Sequence, residues 1–247
     1  MRRGDGPGCT PRRSMATRAI IAGTVLWLGV AIGAAVQPAG IPAGFTRIFN
    51  GRSTAGWHFS RTVHHGTTAI AEASDGVLTL KPYPYGQGGL FLTDRRYTDF
   101  EFYVEAKPDP GFNSGIFLRS TEGGSAYQIE LVRPGNTGAL LGEQMRLSKP
   151  EYIGERVDVN TVWRDGEWNS IRVRMTGEAP HLTLWVNGTQ LWEVQLLKND
   201  QLAGAYGGMI GLQLHWSATY TAAAGGSGSG LPWSVQRFRN MAVKELR

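Results

Sequence analysis

The chain of 247 residues contains a single cysteine, Cys9. It cannot form an internal disulfide, and it precedes the one long apolar run instead of following it. A lipid-bearing cysteine is thereby excluded as well. Helix-like periodicity is scarce, no internal repeat is visible, and charge of one sign is not concentrated anywhere after the N-terminus. The formal net charge of +5 is mostly local. Arg2, Arg3, Arg12, Arg13 and Arg18 with one acidic residue, Asp5, fall within residues 1–37, leaving the remainder at about +1. With no basic stripe there is no case for nucleic acid as a partner. Without crosslinks, the roughly 210 remaining residues must be held by an ordinary apolar core, which is ample at this size.

Residues 1–37 have the form of an export signal. An arginine-rich start leads into the uncharged run Ala19 to Val36, which closes on the small residues Gly33, Ala34 and Ala35 before Gln37-Pro38. Arg12-Arg13-Ser14-Met15 adds a twin-arginine hint. The expectation is a periplasmic or extracellular protein whose mature domain does not stay inserted in a membrane. The rival is an uncleaved tether, because about 18 apolar residues can just span a bilayer. The run is rich in Gly and Ala, which favours cleavage. A single domain then occupies residues 43–247.

What is present in that domain is strand pattern. The 34 glycines, the aromatics and many short alternating runs separated by turn signals predict an all-β fold, a two-sheet antiparallel β-sandwich. Phe45 to Gly51 reads as a strand ending in a turn, and Gly76 to Leu80, Gly88 to Thr93, Asp99 to Lys107 and Trp168 to Met175 read as strands. His181 to Val186 and Gln190 to Val194 flank Asn187-Gly188, the strongest short hairpin signal. Asn187-Gly188-Thr189 is also a glycosylation sequon, but the turn accounts for it better. Glu143 to Val162 reads as a long loop rimming a site, Ala222 to Gly230 as a flexible loop, and Val235 to Leu246 as a last strand.

Two runs stand out. Gly111 to Val132 is a hairpin about Gly123-Gly124, and Gly208 to Trp216 is a further strand. Side chains alternate across a strand, so Tyr127, Ile129 and Leu131 share one face while Gln128 and Glu130 share the other. In the second run Ile210, Leu212, Leu214 and Trp216 oppose Gly211, Gln213 and His215. A carboxylate in the middle of an apolar strand is costly unless solvated, paired or metal-bound. If the two strands lie on one sheet, Gln128, Glu130, Gln213 and His215 converge into a binding surface. The plainer reading is the wet side of a sheet, with Glu130 paired to Arg119 or Arg172.

The motifs resemble the bacterial 3-keto-disaccharide hydrolase family, also described as 3-keto-glucoside 1,2-lyases and 3-keto-2-hydroxyglucal hydratases. The resemblance rests on Phe49-Asn50-Gly51 with Gly56-Trp57, Leu92-Thr93-Asp94, Asn113 through Arg119, Tyr127-Gln128-Ile129-Glu130 and Thr137 to Leu140. It continues with Glu167-Trp168-Asn169, Trp185 to Gly188, Ile210 through His215, and Phe238-Arg239-Asn240. It covers nearly all of the mature chain in order. It implies a concanavalin A-like jelly-roll sandwich of the lectin and glucanase type, and a glycoside or keto-sugar ligand.

It also implies a chemistry. A ketone at C3 acidifies the C2 hydrogen; a base removes it, the C1 substituent is eliminated, and water adds back, giving net hydrolysis. The C3 carbonyl and C2 hydroxyl together suit a divalent cation of open identity. On this reading Glu130 and His215 are the catalytic pair or metal ligands, and Asn113, Arg119, Gln128 and Gln213 bind substrate. Trp57, Trp216 and Trp233 are either sugar-stacking or core residues. Two other classes compete. One is a noncatalytic carbohydrate-binding module on the same sandwich. The other is a retaining glycosidase, which would need two carboxylates about 5–5.5 Å apart; the Glu-x-Asp-x-x-Glu strand pattern expected for it is absent.

Overall fold

A computed structural model describes residues 40–133, 135–201, 204–217, 231 and 233–246. The leader and the loop 222–230 lie outside the described residues. Among the described residues the strands are β1 (Thr46–Arg47), β2 (Trp57–Phe59), β3 (Ile70–Ser74), β4 (Val77–Lys81), β5 (Gly89–Tyr97), β6 (Phe100–Ala106), β7 (Asn113–Ser120) and β8 (Ala126–Val132). They continue as β9 (Leu140–Glu143), β10 (Glu151–Tyr152), β11 (Asn169–Thr176), β12 (His181–Val186), β13 (Thr189–Gln195), β14 (Gly208–Leu214) and β15 (Gln236–Glu245).

These form two antiparallel sheets. The larger runs β10-β13-β12-β11-β6-β15-β4-β3 with β1 beside β15, and the smaller runs β2-β5-β14-β7-β8-β9. The strand joins between distant segments, β5 with β14 and β14 with β7, make this a jelly-roll sandwich and not a set of sequential hairpins.

The core is built from the alternation. Phe100, Phe102 and Val104 of β6 and Val173 and Met175 of β11 face Ile116 of β7, Tyr127 and Ile129 of β8, and Ile210 and Leu212 of β14. All are essentially inaccessible to water, and each large apolar side chain contributes roughly 1.5–3 kcal/mol by burial. Asn187 and Gly188 both have positive φ, 50° and 83°, as a tight primed hairpin turn requires. The Asn187 amide donates to Val162 O and Asn169 Oδ1, so the sequon residue is committed to the turn.

The strand ending in a turn expected over Phe45 to Gly51 is present: β1 pairs with β15, the N–H of Ile48 donates to Met241 O, and Asn50 Oδ1 accepts from the backbone N–H of Arg52 and Ser53 and turns the chain. One expectation changes. The segment from Glu143 to Val162 is not all loop. Glu143 closes β9, β10 pairs with β13, and Asp158 caps a short 3-10 turn over Val159–Thr161.

The outer face of the smaller sheet is not simply wet. Leu90, Leu92, Phe117, Ala126 and Met209 form a second apolar cluster there with Val63. Val63 belongs to the connection from β2 to β3, which lies over this face.

Candidate functional site

The register of the smaller sheet puts the singled-out residues on one face. Gly115 of β7 pairs with Glu130 on one side and Gln213 on the other. Phe117 pairs with Gln128 and Gly211 in the next row. Past the end of β14, the N–H of His215 donates to Asn113 O, 3.3 Å, placing Asn113 and His215 in the row beyond Gln213. Glu130 and Gln213 are thus two strands apart, about 10 Å between α-carbons at ordinary strand spacing. Trp57 is a core residue, 6% exposed and stacked on Phe91.

Gly115 is what lets these side chains meet. A Cβ there would stand 2.4 Å from Gln128 Nε2. In the space it leaves, Gln128 Nε2 donates to Glu130 Oε2 (2.8 Å) and to Gln213 Oε1 (3.2 Å). Gln213 Nε2 lies 2.9 Å from His65 Nε2. The chain Glu130–Gln128–Gln213–His65 therefore crosses three strands. Gln128 Oε1 and Asn113 Oδ1 are buried without a hydrogen-bond partner among the described residues.

His64 and His65 are the residues that strand alternation could not find. They sit in the β2–β3 connection, where no period applies. Ser60 Oγ donates to Glu122 O and accepts from the N–H of Thr62 and Val63, and the N–H of Arg61 donates to Glu122 Oε1. Further along, Gly66 and Gly88 make a backbone approach too close for side chains: a Cβ on Gly88 would be 2.6 Å from His65 O and 2.1 Å from Leu214 O. These contacts lay His65 against the sheet, 1% exposed and edge-on to Phe117.

The loop completes a histidine–carboxylate cluster. His64 Nε2 and His65 Nε2 approach Glu143 Oε1 at 3.4 and 3.6 Å. Among the described residues, His64, His65 and Glu143 bring ligand atoms within 4.8 Å of one another. Two imidazoles and one carboxylate suit a divalent first-row cation. The His215 ring lies 5.1 Å from the His65 ring. Glu130 and His215, the ligands expected from the sequence, therefore border the cluster that the fold assembles.

The electrostatics separate the roles. Burial pushes the Glu130 carboxyl up to about 7, and the nearby Glu143 charge adds to this. Burial also opposes ionisation of Glu143, but the hydrogen bond and charge of His65, with His64 and His215, outweigh it and hold Glu143 below the usual range. Burial drops His215 to about 4 against a smaller opposing pull from its bond to Trp216 O; the charge of His65 also lowers it. Because His215 Nδ1 is 2.6 Å from that carbonyl, which can only accept, Nδ1 carries the proton. The lone pair is left on Nε2. His64 is lowered by burial and by its neighbour His65.

Arg119 does not join the site. Its guanidinium donates to Thr98 O, Gly177 O and Asp99 Oδ1 and lies under the Tyr206 ring, at 1% exposure. Arg172 pairs with Glu101 and stacks on Trp185. Glu130 has no ion-pair partner among the described residues. A separate cavity of about 300 Å3, lined in part by Phe112, Arg133, Trp163 and Asp165, contains none of the site residues.

Comparisons with known proteins bear on this arrangement. A Parabacteroides distasonis protein carrying a provisional glycosyl hydrolase assignment shares the fold, with 20% identity, TM-score 0.53, and 83% of this chain aligned to 94% of that one. The Bacillus licheniformis β-glucanase aligns over 85% of this chain and all of its own at 15% identity and TM-score 0.50. Both share the two-sheet jelly-roll sandwich fold. No curated protein matches the sequence. The model of the 3-keto-alpha-glucoside-1,2-lyase-like domain matches residues 44–244. The chain belongs to that carbohydrate-active family.

Proposed function

We propose that the domain cleaves 3-keto-glycosides by elimination and rehydration, with Glu130 as the base. The observation that supports this best is that Glu130 is a partly buried carboxylate with no cationic side chain beside it among the described residues, its charged form held there by the Gln128 amide. A proton affinity near neutrality suits a general base. Glu130 takes the C2 proton, and the C–H electron pair forms a C2–C3 enediolate whose charge rests on the former C3 carbonyl oxygen. Collapse of the enediolate breaks the C1–O bond, and the leaving oxygen takes the proton from Glu130. Water then adds at C1 and C2 regains a proton. The neutral His215, with its lone pair on Nε2, holds that water. Gln128 and Gln213 fix the carboxylate, and the Asn113 amide offers an acceptor beside His215. The cluster His64, His65 and Glu143 fits a divalent cation by its donor set. Such an ion would supply Lewis acidity toward the C3 carbonyl and C2 hydroxyl.

The test compares a 3-keto-glucoside with its parent glucoside. Turnover of the keto form alone, slowed by deuterium at C2, is expected. Equal activity on both sinks the elimination. Saturable sugar binding without turnover of either favours a carbohydrate-binding module. Residues 1–37 we read as an export signal. N-terminal sequencing of the exported protein is expected to begin between about Val36 and Ile41; an intact leader recovered with membranes overturns this. Among the described residues, no helix is long and apolar enough to cross a membrane.

A further inference from the structure

Beside the polar cluster stands a group of exposed aromatic side chains. The exposed tryptophans among the described residues, Trp216 and Trp233, are both here, 40% and 55% exposed, with Tyr85 at 57%. The other described tryptophans are buried or half-buried. Single exposed aromatics are ordinary, but a cluster of them is not.

Backbone contacts gather these residues from three segments. The N–H of Ser217 donates to Gly86 O, which ties the segment carrying Tyr85 to the one carrying Trp216. The N–H of Leu231 donates to Gly111 O, and Ser234 Oγ donates to Pro110 O, which anchor Trp233 beside the loop leading into Asn113. Tyr85 and Trp233 lie nearly parallel, 22° apart with centroids 6.2 Å apart. Trp216 stacks on His215 at 5.5 Å, and the His215 ring lies tilted against His65, 5.1 Å between centroids. The rings therefore lead from the polar cluster to Trp216, and the Ser217–Gly86 bond brings the Tyr85 segment to the same end of the site.

We infer that Tyr85, Trp233 and Trp216 form a stacking subsite for the second pyranose of a disaccharide, the ring on the far side of the bond that is cleaved. The inference rests on the carbohydrate reading above and deepens it. The C–H face of a pyranose is apolar while its edges carry hydroxyls. A flat aromatic surface open to water beside hydrogen-bonding groups matches that two-sided character. The subsite continues the site through His215, so one ligand of two rings can reach both.

The experiment uses the mature protein and the variants Trp233→Ala, Tyr85→Ala and Trp233→Phe, with a 3-keto-disaccharide and a methyl 3-keto-glucoside as substrates. The alanine variants are expected to raise KM for the disaccharide about tenfold and leave kcat and KM for the methyl glycoside unchanged. Trp233→Phe is expected to restore most of the loss. Equal effects on both substrates, or none on either, overturn the subsite. If wild type turns over neither substrate, the elimination reading fails by itself. Titration with glucose disaccharides and methyl glucoside, followed by tryptophan fluorescence, then reads the subsite directly. Tighter disaccharide binding that Trp233→Ala abolishes supports it, and no preference for two rings overturns it.

Discussion

Glu105 and Glu130 stand on the outer faces of opposite sheets, each within an apolar strand, and their surroundings differ in one respect. Glu105 is fully compensated. Tyr103 OH and Asn240 Nδ2 donate to Oε1 (3.0 and 2.9 Å), and Arg239 Nε donates to Oε2 at 2.6 Å. Arg239 is itself laid over Trp168. Burial and the adjacent Glu105 charge suppress ionisation of Tyr103, so its hydroxyl remains a donor. Glu130 has one neutral amide donor, and its nearest charge is another carboxylate, Glu143. The first arrangement holds a fold together, and the second suits the proton-accepting role proposed for Glu130. Glu105 is the more deeply buried of the two, yet it is the compensated one.

The comparison is broken most sharply by paired substitutions. Glu130→Gln keeps shape and hydrogen bonding and is expected to lower turnover of the 3-keto-glucoside by at least about a hundredfold, with no loss of melting temperature. Glu105→Gln is expected to leave kcat alone and to destabilise by about 1–3 kcal/mol, because Arg239 loses its charge partner. Steady-state kinetics and thermal melts on the same two samples decide it; similar behaviour of the pair defeats the distinction.

Chelation comes next. Removing divalent cations is expected to abolish activity, with recovery on adding one back. Glu143→Gln is expected to lower bound metal measured by elemental analysis about 10- to 100-fold, while Glu105→Gln leaves it unchanged. Chelator-resistant activity assigns His64, His65 and Glu143 to direct proton transfer instead.

Gly115→Ala is a smaller perturbation. Its methyl meets the far end of a flexible side chain, Gln128 Nε2, so the fold survives and the amide swings off Glu130. A loss of about tenfold in kcat, roughly one hydrogen bond to a charged group, is expected. Unchanged kcat would show that Gln128 does not position the carboxylate.

The smallest effect is in the pH dependence of stability. Glu130 is shifted from 4.5 to about 7, so between those values the folded state binds more protons, and its contribution to stability falls as pH rises. His215 is shifted from 6.5 to about 4, so the folded state binds fewer, and its contribution falls as pH drops through that window. Melts of Glu130→Gln and His215→Gln against pH are expected to tilt in opposite directions relative to wild type. The acid limb of activity is expected near pH 7.

Much of this site was legible in the strands. Alternation with period two puts Gln128 with Glu130 and Gln213 with His215, and antiparallel pairing through Gly115 carries one pair to the other. Arg119 misleads for a backbone reason. Strand β7 bulges against β14 between Met209 and Gly211, and Arg119 takes φ 51°. The alternation is broken at that point, and the side chain turns to Asp99 and away from the Gln128 row. His64 and His65 are invisible because their position comes from glycine approaches and Ser60–Glu122 bonds across distant segments. Glu143 follows from the same cause, since its meaning depends on the histidines above it.

The way that connection is attached has an evolutionary consequence. From Arg61 to Gly66 it is fastened by side-chain bonds, the packing of Val63 and close glycine contacts, not by strand pairing, so changes in it do not shift the register of the sheet beneath. The scaffold keeps Glu130 and its amides whatever the insert carries. An exchange of a few residues over one face can therefore change the His64–His65 pair while the sandwich is inherited intact.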